Sequence, residues 1–265
     1  MPAEKLEVDA ISETLVRLTG DAAGARERQW LMGCLVGQLA GRIGGVGWLP
    51  RPQRVLGAVI DILVEIAERL PVRDLETLRA HHPDLDDAEL AQRLIRNAAR
   101  ATAAIGAAGG GVAAVEWVAP PTLLSAPVLL TAETIAAAAV ELKLIGELHE
   151  VYRVPVHGSA VQRATALLTS WASRRGIIPL SPGRGVGAVL STAARKEIRD
   201  RLLRRFGRNL TTLGPMLTGA AVGAELNRRA TRSVGVQIQN DLRRRWPGHA
   251  VEGVVIPESA LPPES

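Results

Sequence analysis

Aromatic side chains are nearly missing from this sequence: its 265 residues include one Phe, one Tyr and five Trp. Hydrophobic residues nevertheless make up 47% of the chain, so its core must be built from Ala, Leu, Val and Ile. Sheet-rich proteins lean on aromatic and β-branched residues, and that deficit favours closely approaching helices over a sandwich or barrel. Cysteine is almost absent too. Cys34 stands alone, which excludes an intramolecular disulfide and suits a reducing compartment. Lysine is scarce, with only Lys5, Lys143 and Lys196 among 32 basic residues. The opening MPAEKLEVDAIS has acidic residues and no apolar core, so no signal peptide is expected and the setting is read as cytoplasmic.

Long apolar runs are also lacking. The stretches free of charge are Ala101–Val115, Trp117–Ala132 and Asn209–Ala224, the longest of them 16 residues. A membrane-spanning helix needs about 20 predominantly apolar residues. The nearest approach is WLMGCLVGQLAGRIGGVGW at residues 30–48, where Gly33, Gly37, Gly41 and Gly45 recur every fourth position. Spanning would place Arg42 inside the bilayer at a cost of about 2.5 kcal/mol or more. A helix ending near Ile43 explains the same letters better. Arg42 then favours the C-terminal dipole, Gly44 is a left-handed stop, and the glycines form a flat stripe for close packing. The same reasoning assigns Gly106, Gly110, Gly219 and Gly223 to helix–helix contacts.

Helical periodicity runs through nearly the whole chain, and the fold expected is all-α with about eight helices and Gly/Ala-rich hairpins. In QRVLGAVIDILVEIAERL, Val55, Leu56, Val59, Ile60, Leu63, Ala67 and Leu70 form an apolar stripe opposite Asp61, Glu65, Glu68 and Arg69. Helices are also expected near 73–80, from Asp86 onwards, over 123–152, over 159–175, in a basic stretch to Phe206, and from Pro215 to Arg245. Asp86 and Glu89 make a capping pattern for the second of these. A hairpin over 101–152 is expected to turn at Pro120–Pro121, with Trp117, Pro120 and Pro121 as a tip suited to one membrane leaflet. Three regions follow: an N-terminal helical region at 1–80, a helical domain at 81–246 packed with it, and a disordered Pro- and Glu-rich tail at 247–265.

Charge divides unevenly. Residues 1–150 carry −6, residues 151–245 carry +14, and the tail carries −3. A segment so basic either pairs with the acidic first half or attracts an anionic partner. Arg201, Arg204, Arg205 and Arg208 are spaced to share a helical face and are the candidate contacts for an anionic surface.

Signatures of catalysis are missing. His81, His82, Asp84, Asp86 and Asp87 fall in a turn, where Asp86 is better used as a cap than as a metal ligand. His149–Glu150 opens like a zinc-protease motif but has Arg153 in the second ligand position. No phosphate-binding G-x-x-x-x-G-K-[ST] occurs, and GRGVGA at 183–188 is not a dinucleotide fingerprint. The sequence therefore supplies no catalytic residue, metal ligand or cofactor contact. Two carboxylates stand out instead. Glu116 ends an apolar run, and Glu141 lies on the arc of Ile145 and Leu148, while Glu133, Lys143, Glu147 and Glu150 share the opposite, wet face. A buried carboxylate must be paired or protonated, and an arginine from the basic half is the favoured partner for Glu141.

DDAELAQRLIRNAARATAAIGAAGGGVAA, followed by a proline-containing break and a long helix ending ELHEVYRVP, resembles the EcsC-like bacterial proteins. LGPMLTGAAVGAELNRRATRSVG is similar to that family's later segment. The resemblance covers residues 85–240. It implies an α-helical fold, a cytoplasmic setting and membrane association, and it supplies no catalytic residues. The chain departs from the pattern at Tyr152-Arg153, where many members have Tyr-Gly. These readings lead to a non-enzymatic helical interaction protein, peripheral at the inner membrane surface, with anionic lipid or a protein as partner. The alternative is a basic nucleic-acid-binding module using the Arg-rich C-terminal half.

Overall fold

The computed structural model describes residues 2–43, 62–116, 126–154, 156–175 and 220–245. Among them are eight helices and no strand: α1 Pro2–Leu18, α2 Ala25–Ile43, α3 62–69, α4 Leu75–His81, α5 Asp87–Glu116, α6 Ala126–Val151, α7 Ala160–Arg174 and α8 Ala220–Arg245. The chain is all-α.

Local chemistry starts these helices where the sequence predicts. Asp74 caps α4, its carboxylate accepting from Thr77 N–H at 2.8 Å. At the start of α5, Asp86 Oδ1 accepts from Glu89 N–H at 2.7 Å while Glu89 Oε2 accepts from Asp86 N–H at 3.2 Å. Ser159 and Gln162 form the same reciprocal box before α7. α6 ends in a left-handed residue. Arg153 has φ 52°, its N–H donates to Glu150 C=O at 3.0 Å, and Val154 N–H donates to His149 C=O at 2.9 Å. That is the Schellman pattern, with arginine in the position that glycine usually fills.

α6 is the axis of the fold. It packs against α1, α2, α4, α5, α7 and α8, and residues 135–148 are buried all round. Ala136–Ala139 keep its surface narrow enough for so many neighbours. One continuous core runs from Ile11 of α1 to Leu242 of α8, so residues 1–80 share the core of the remainder.

α5 and α8 form the most extensive helix pair, and they run antiparallel: Gly106 meets Gly223, whereas Gln92 Nε2 donates to Gln239 Oε1 at 2.8 Å. A Cβ on Gly106 would lie 2.3 Å from Gly223 O, and one on Gly223 would lie 2.5 Å from Gly106 O. The two backbones touch at these glycines. A Cβ on Gly235 would likewise collide with Ile95, and one on Gly146 with Val72.

Two expectations need correction. Gly33 and Gly37 do not form a packing stripe; nothing lies within 4 Å of a Cβ built on either. α2 buries Leu31, Met32, Leu35 and Leu39 instead, and turns these two glycines to solvent. The supposed wet face of α6 is also wrong for Lys143 and Glu147, which are buried. Gly219, Arg201, Arg204, Arg205, Arg208, Trp117, Pro120 and Pro121 lie outside the described residues, as does the expected turn of the hairpin. Gly110 and Glu116 lie in α5, but their side-chain surroundings fall outside the described set.

Candidate functional site

Glu141 lies on α6 with no exposure to solvent. Its Oε2 accepts from Trp171 Nε1 at 2.8 Å and from Arg175 Nε at 2.9 Å. Its Oε1 accepts from Arg175 Nη2 at 2.5 Å and from Thr231 Oγ1 at 2.6 Å. Three helices therefore converge on one carboxylate: α6 supplies the acid, α7 and its C-cap the indole and guanidinium, and α8 the hydroxyl. The fork of Arg175 meets both oxygens, the geometry that makes arginine the preferred partner of a carboxylate. Both oxygens are occupied and water is excluded, so this carboxylate is a structural clasp with no lone pair left for proton transfer to a substrate.

A second polar knot lies a little under two turns along α6. Glu147 accepts from Arg73 Nε at 2.7 Å and from Arg73 Nη2 at 2.9 Å. Arg73 Nη1 reaches Asp21 Oδ2 at 2.6 Å, and Lys143 Nζ lies 3.6 Å from Glu147 Oε1 and donates to Thr19 C=O at 3.2 Å. Burial works against charge on Arg73, but the bonds and fields of Glu147 and Asp21 outweigh it and hold its pKa above the ordinary value. No sequence motif marks this knot. Its partners come from the α1–α2 turn and the segment before α4, far away in the chain.

Glu133 is a third acid in the interior. Burial pushes its pKa up, opposed by Asn227 Nδ2, which donates to Glu133 Oε1 at 2.9 Å. Tyr152, the tyrosine at the end of α6, accepts from Gln239 Nε2 at 2.9 Å and ties that end to α8.

The arginines divide into two populations. The acids of the first half largely satisfy arginines of the first half: Glu27 pairs with Arg17, Asp9 and Glu65 with Arg69, Asp21 and Glu147 with Arg73, and Asp87 with Arg79. Among the described residues, only Asp87–Arg153 and Glu141–Arg175 join an acid of residues 1–150 to an arginine of the basic segment. On α8, Glu225 takes Arg228 and Arg229, and Asp241 takes Arg174. Arg232, Arg243, Arg244 and Arg245 are exposed, and no carboxylate among the described residues pairs with them. Arg93, Arg96 and Arg100 on neighbouring α5 are exposed in the same condition.

Among the described residues no three His, Cys, Asp or Glu side chains converge as metal ligands. None of the described helices is long and apolar enough to cross a membrane. No family model, curated protein or solved structure matches the chain.

Proposed function

We propose that this is a non-enzymatic helical interaction protein that binds anionic surfaces reversibly, as a peripheral protein at the cytoplasmic face of a membrane. The observation that carries the reading is the set of exposed, carboxylate-free arginines on α8: Arg232, Arg243, Arg244 and Arg245. Their charge is not consumed inside the fold, because the acidic first half spends its carboxylates mainly on its own arginines. Two large apolar side chains are also exposed. Leu226 on α8 is 52% exposed, and Trp30 on α2 is 59% exposed with the Arg17 guanidinium 5.6 Å from its ring centroid. Tryptophan beside arginine suits the headgroup layer of a bilayer. The likeness of residues 85–240 to EcsC-like proteins points the same way, and we extend it to this chain as part of the proposal.

Each basic residue near an anionic membrane contributes about 1 kcal/mol, and the attraction fades beyond a Debye length. Four such arginines give measurable, salt-sensitive binding. The test is co-sedimentation with phosphatidylcholine vesicles containing increasing phosphatidylglycerol, at low and moderate salt. The Arg232→Gln, Arg243→Gln, Arg244→Gln, Arg245→Gln variant should bind at least about tenfold more weakly. A parent indifferent to anionic lipid at low salt, or a variant that binds equally well, overturns the reading. A clear preference for duplex DNA over vesicles would transfer these arginines to nucleic-acid binding.

A further inference from the structure

A cleft of about 550 Å³ opens between three chain segments, and no residue of α8 is among its described lining. Its walls are Asp21 and Ala22 in the α1–α2 turn, Arg28 in the first turn of α2, Arg73 before α4, His81 and His82 at the end of α4, and Arg93, Asn97 and Arg100 along one face of α5. Among the described residues, four guanidinium groups and two imidazoles thus face one carboxylate. That carboxylate is already engaged, because Asp21 Oδ2 holds Arg73 Nη1 at 2.6 Å.

The arginines differ in what restrains them. Arg28 is half-buried and tied only to backbone carbonyls at the end of α1: Nη2 donates to Gly20 C=O at 2.8 Å and Nε to Leu18 C=O at 3.3 Å. Burial lowers its pKa in spite of the fields of Asp21 and Glu27, so the protein compensates this charge incompletely. Arg73 is locked to Glu147 at the cleft floor. Among the described residues Arg93 and Arg100 have no hydrogen-bond or ion-pair partner, although they stand two turns apart on one side of α5 with Asn97 between them. The cleft therefore combines two fixed cations, two free ones and an amide in a concave volume of small-ligand size.

We propose that this cleft is a binding site for a polyphosphate group, that is, a ligand bearing two or more linked or neighbouring phosphates. A single phosphate would engage one arginine fork and leave the opposite wall uncompensated. Two or three phosphates bridge Arg28 on one wall and Arg93 and Arg100 on the other, each in the charge-assisted geometry that arginine makes with phosphate oxygens. Carboxylate ligands of the same size fit the arginine fork equally well but carry less charge per unit of volume, so they compensate the four cations less fully. The phosphate group can belong to a soluble compound or to a lipid headgroup, and the chemistry of recognition is the same.

The experiment is isothermal titration of the full chain with sodium tripolyphosphate, pyrophosphate, orthophosphate and sulfate at one ionic strength. The site predicts saturable one-to-one binding of tripolyphosphate, weaker pyrophosphate binding, and little binding of the single anions. Because Arg93 and Arg100 are exposed and unpaired, Arg93→Gln/Arg100→Gln leaves the melting temperature unchanged and raises the Kd for tripolyphosphate by about tenfold or more. The α8 variant at 232, 243, 244 and 245 keeps the parent Kd, which separates this site from the surface reading above. Phosphatidylcholine vesicles doped with phosphatidylinositol bisphosphate distinguish the sources: a headgroup ligand makes vesicle binding depend on Arg93 and Arg100, and a soluble ligand leaves it unaffected. Absence of tripolyphosphate binding, equal binding of orthophosphate, or an unchanged Kd in the α5 double variant overturns the proposal.

Discussion

Adding one methyl group to Gly106 should separate the two most extensively packed helices of the fold. The new Cβ would start 2.3 Å from Gly223 O, and at least 3.0 Å is needed, so α5 and α8 must part by about 0.7 Å. The obstacle is backbone, which has no rotamer to change. Overpacking of this kind costs about 1–3 kcal/mol, and the better helix propensity of alanine returns about 1 kcal/mol. The net effect of Gly106→Ala is a destabilisation of up to about 2 kcal/mol, or a fall in Tm of up to about 8 °C. Gly223→Ala should behave alike, because its Cβ would meet Gly106 O at 2.5 Å. Once the first methyl has parted the helices the second costs less, so the double variant should be less unstable than the sum. Gly33→Ala and Gly37→Ala supply the opposite sign within the same protein. Both are helical and open, so alanine should stabilise by about 0.5–1 kcal/mol. Urea and thermal denaturation of the four single variants and the double variant read the result. If Gly106→Ala raises Tm as Gly33→Ala does, the two backbones are not in contact and the packing argument fails.

The remaining predictions concern the polar interior and the end of α6. Glu141→Gln removes the charge that Arg175 faces and sets an amide NH2 against an Arg175 N–H in either orientation; it should destabilise by about 3–5 kcal/mol in denaturant titrations, and a loss below 1 would refute the clasp. Arg153→Gly relieves a left-handed residue worth about 1–2 kcal/mol but loses an exposed pair with Asp87, so stability should rise slightly, and a clear fall in Tm would contradict the strain. The raised pKa of Glu133 stabilises the fold fully below the ordinary glutamate range, and that contribution is lost as pH rises through the folded value. Glu133→Gln, which keeps an acceptor for Asn227, should therefore exceed the parent in stability at neutral pH and converge with it below about pH 4, and a neutral-pH loss would oppose the assignment.

How much of this was legible in the sequence depended on how local the physics is. The caps of α5 and α7 are written in Asp86-x-x-Glu89 and Ser159-x-x-Gln162, because their partners are three residues apart. Glu141 was visible because its neighbours on the wheel are Ile145 and Leu148, and a carboxylate there demands a partner. Arg175 as that partner was not visible, since contact between α6 and the end of α7 arises only on folding. Glycine on a helix face misled on α2 and informed on α5, where Gly106 meets Gly223. Spacing says which residues share a face, whereas the packing of neighbours decides whether that face is covered. Lys143 and Glu147 were assigned to water by their chemistry, yet Arg73 and the Thr19 carbonyl, both remote in sequence, satisfy them inside. The cationic cleft is likewise assembled from residues 21–28, 73–82 and 93–100, and no window of the sequence contains it.

The central claim is reversible electrostatic attachment to a membrane surface, and cell fractionation with salt and carbonate washes tests it most directly. At low salt the protein should sediment with membranes, be released by moderate salt, and leave the membrane completely in carbonate. Recovery wholly in the soluble fraction at low salt, or retention after carbonate, would contradict the account.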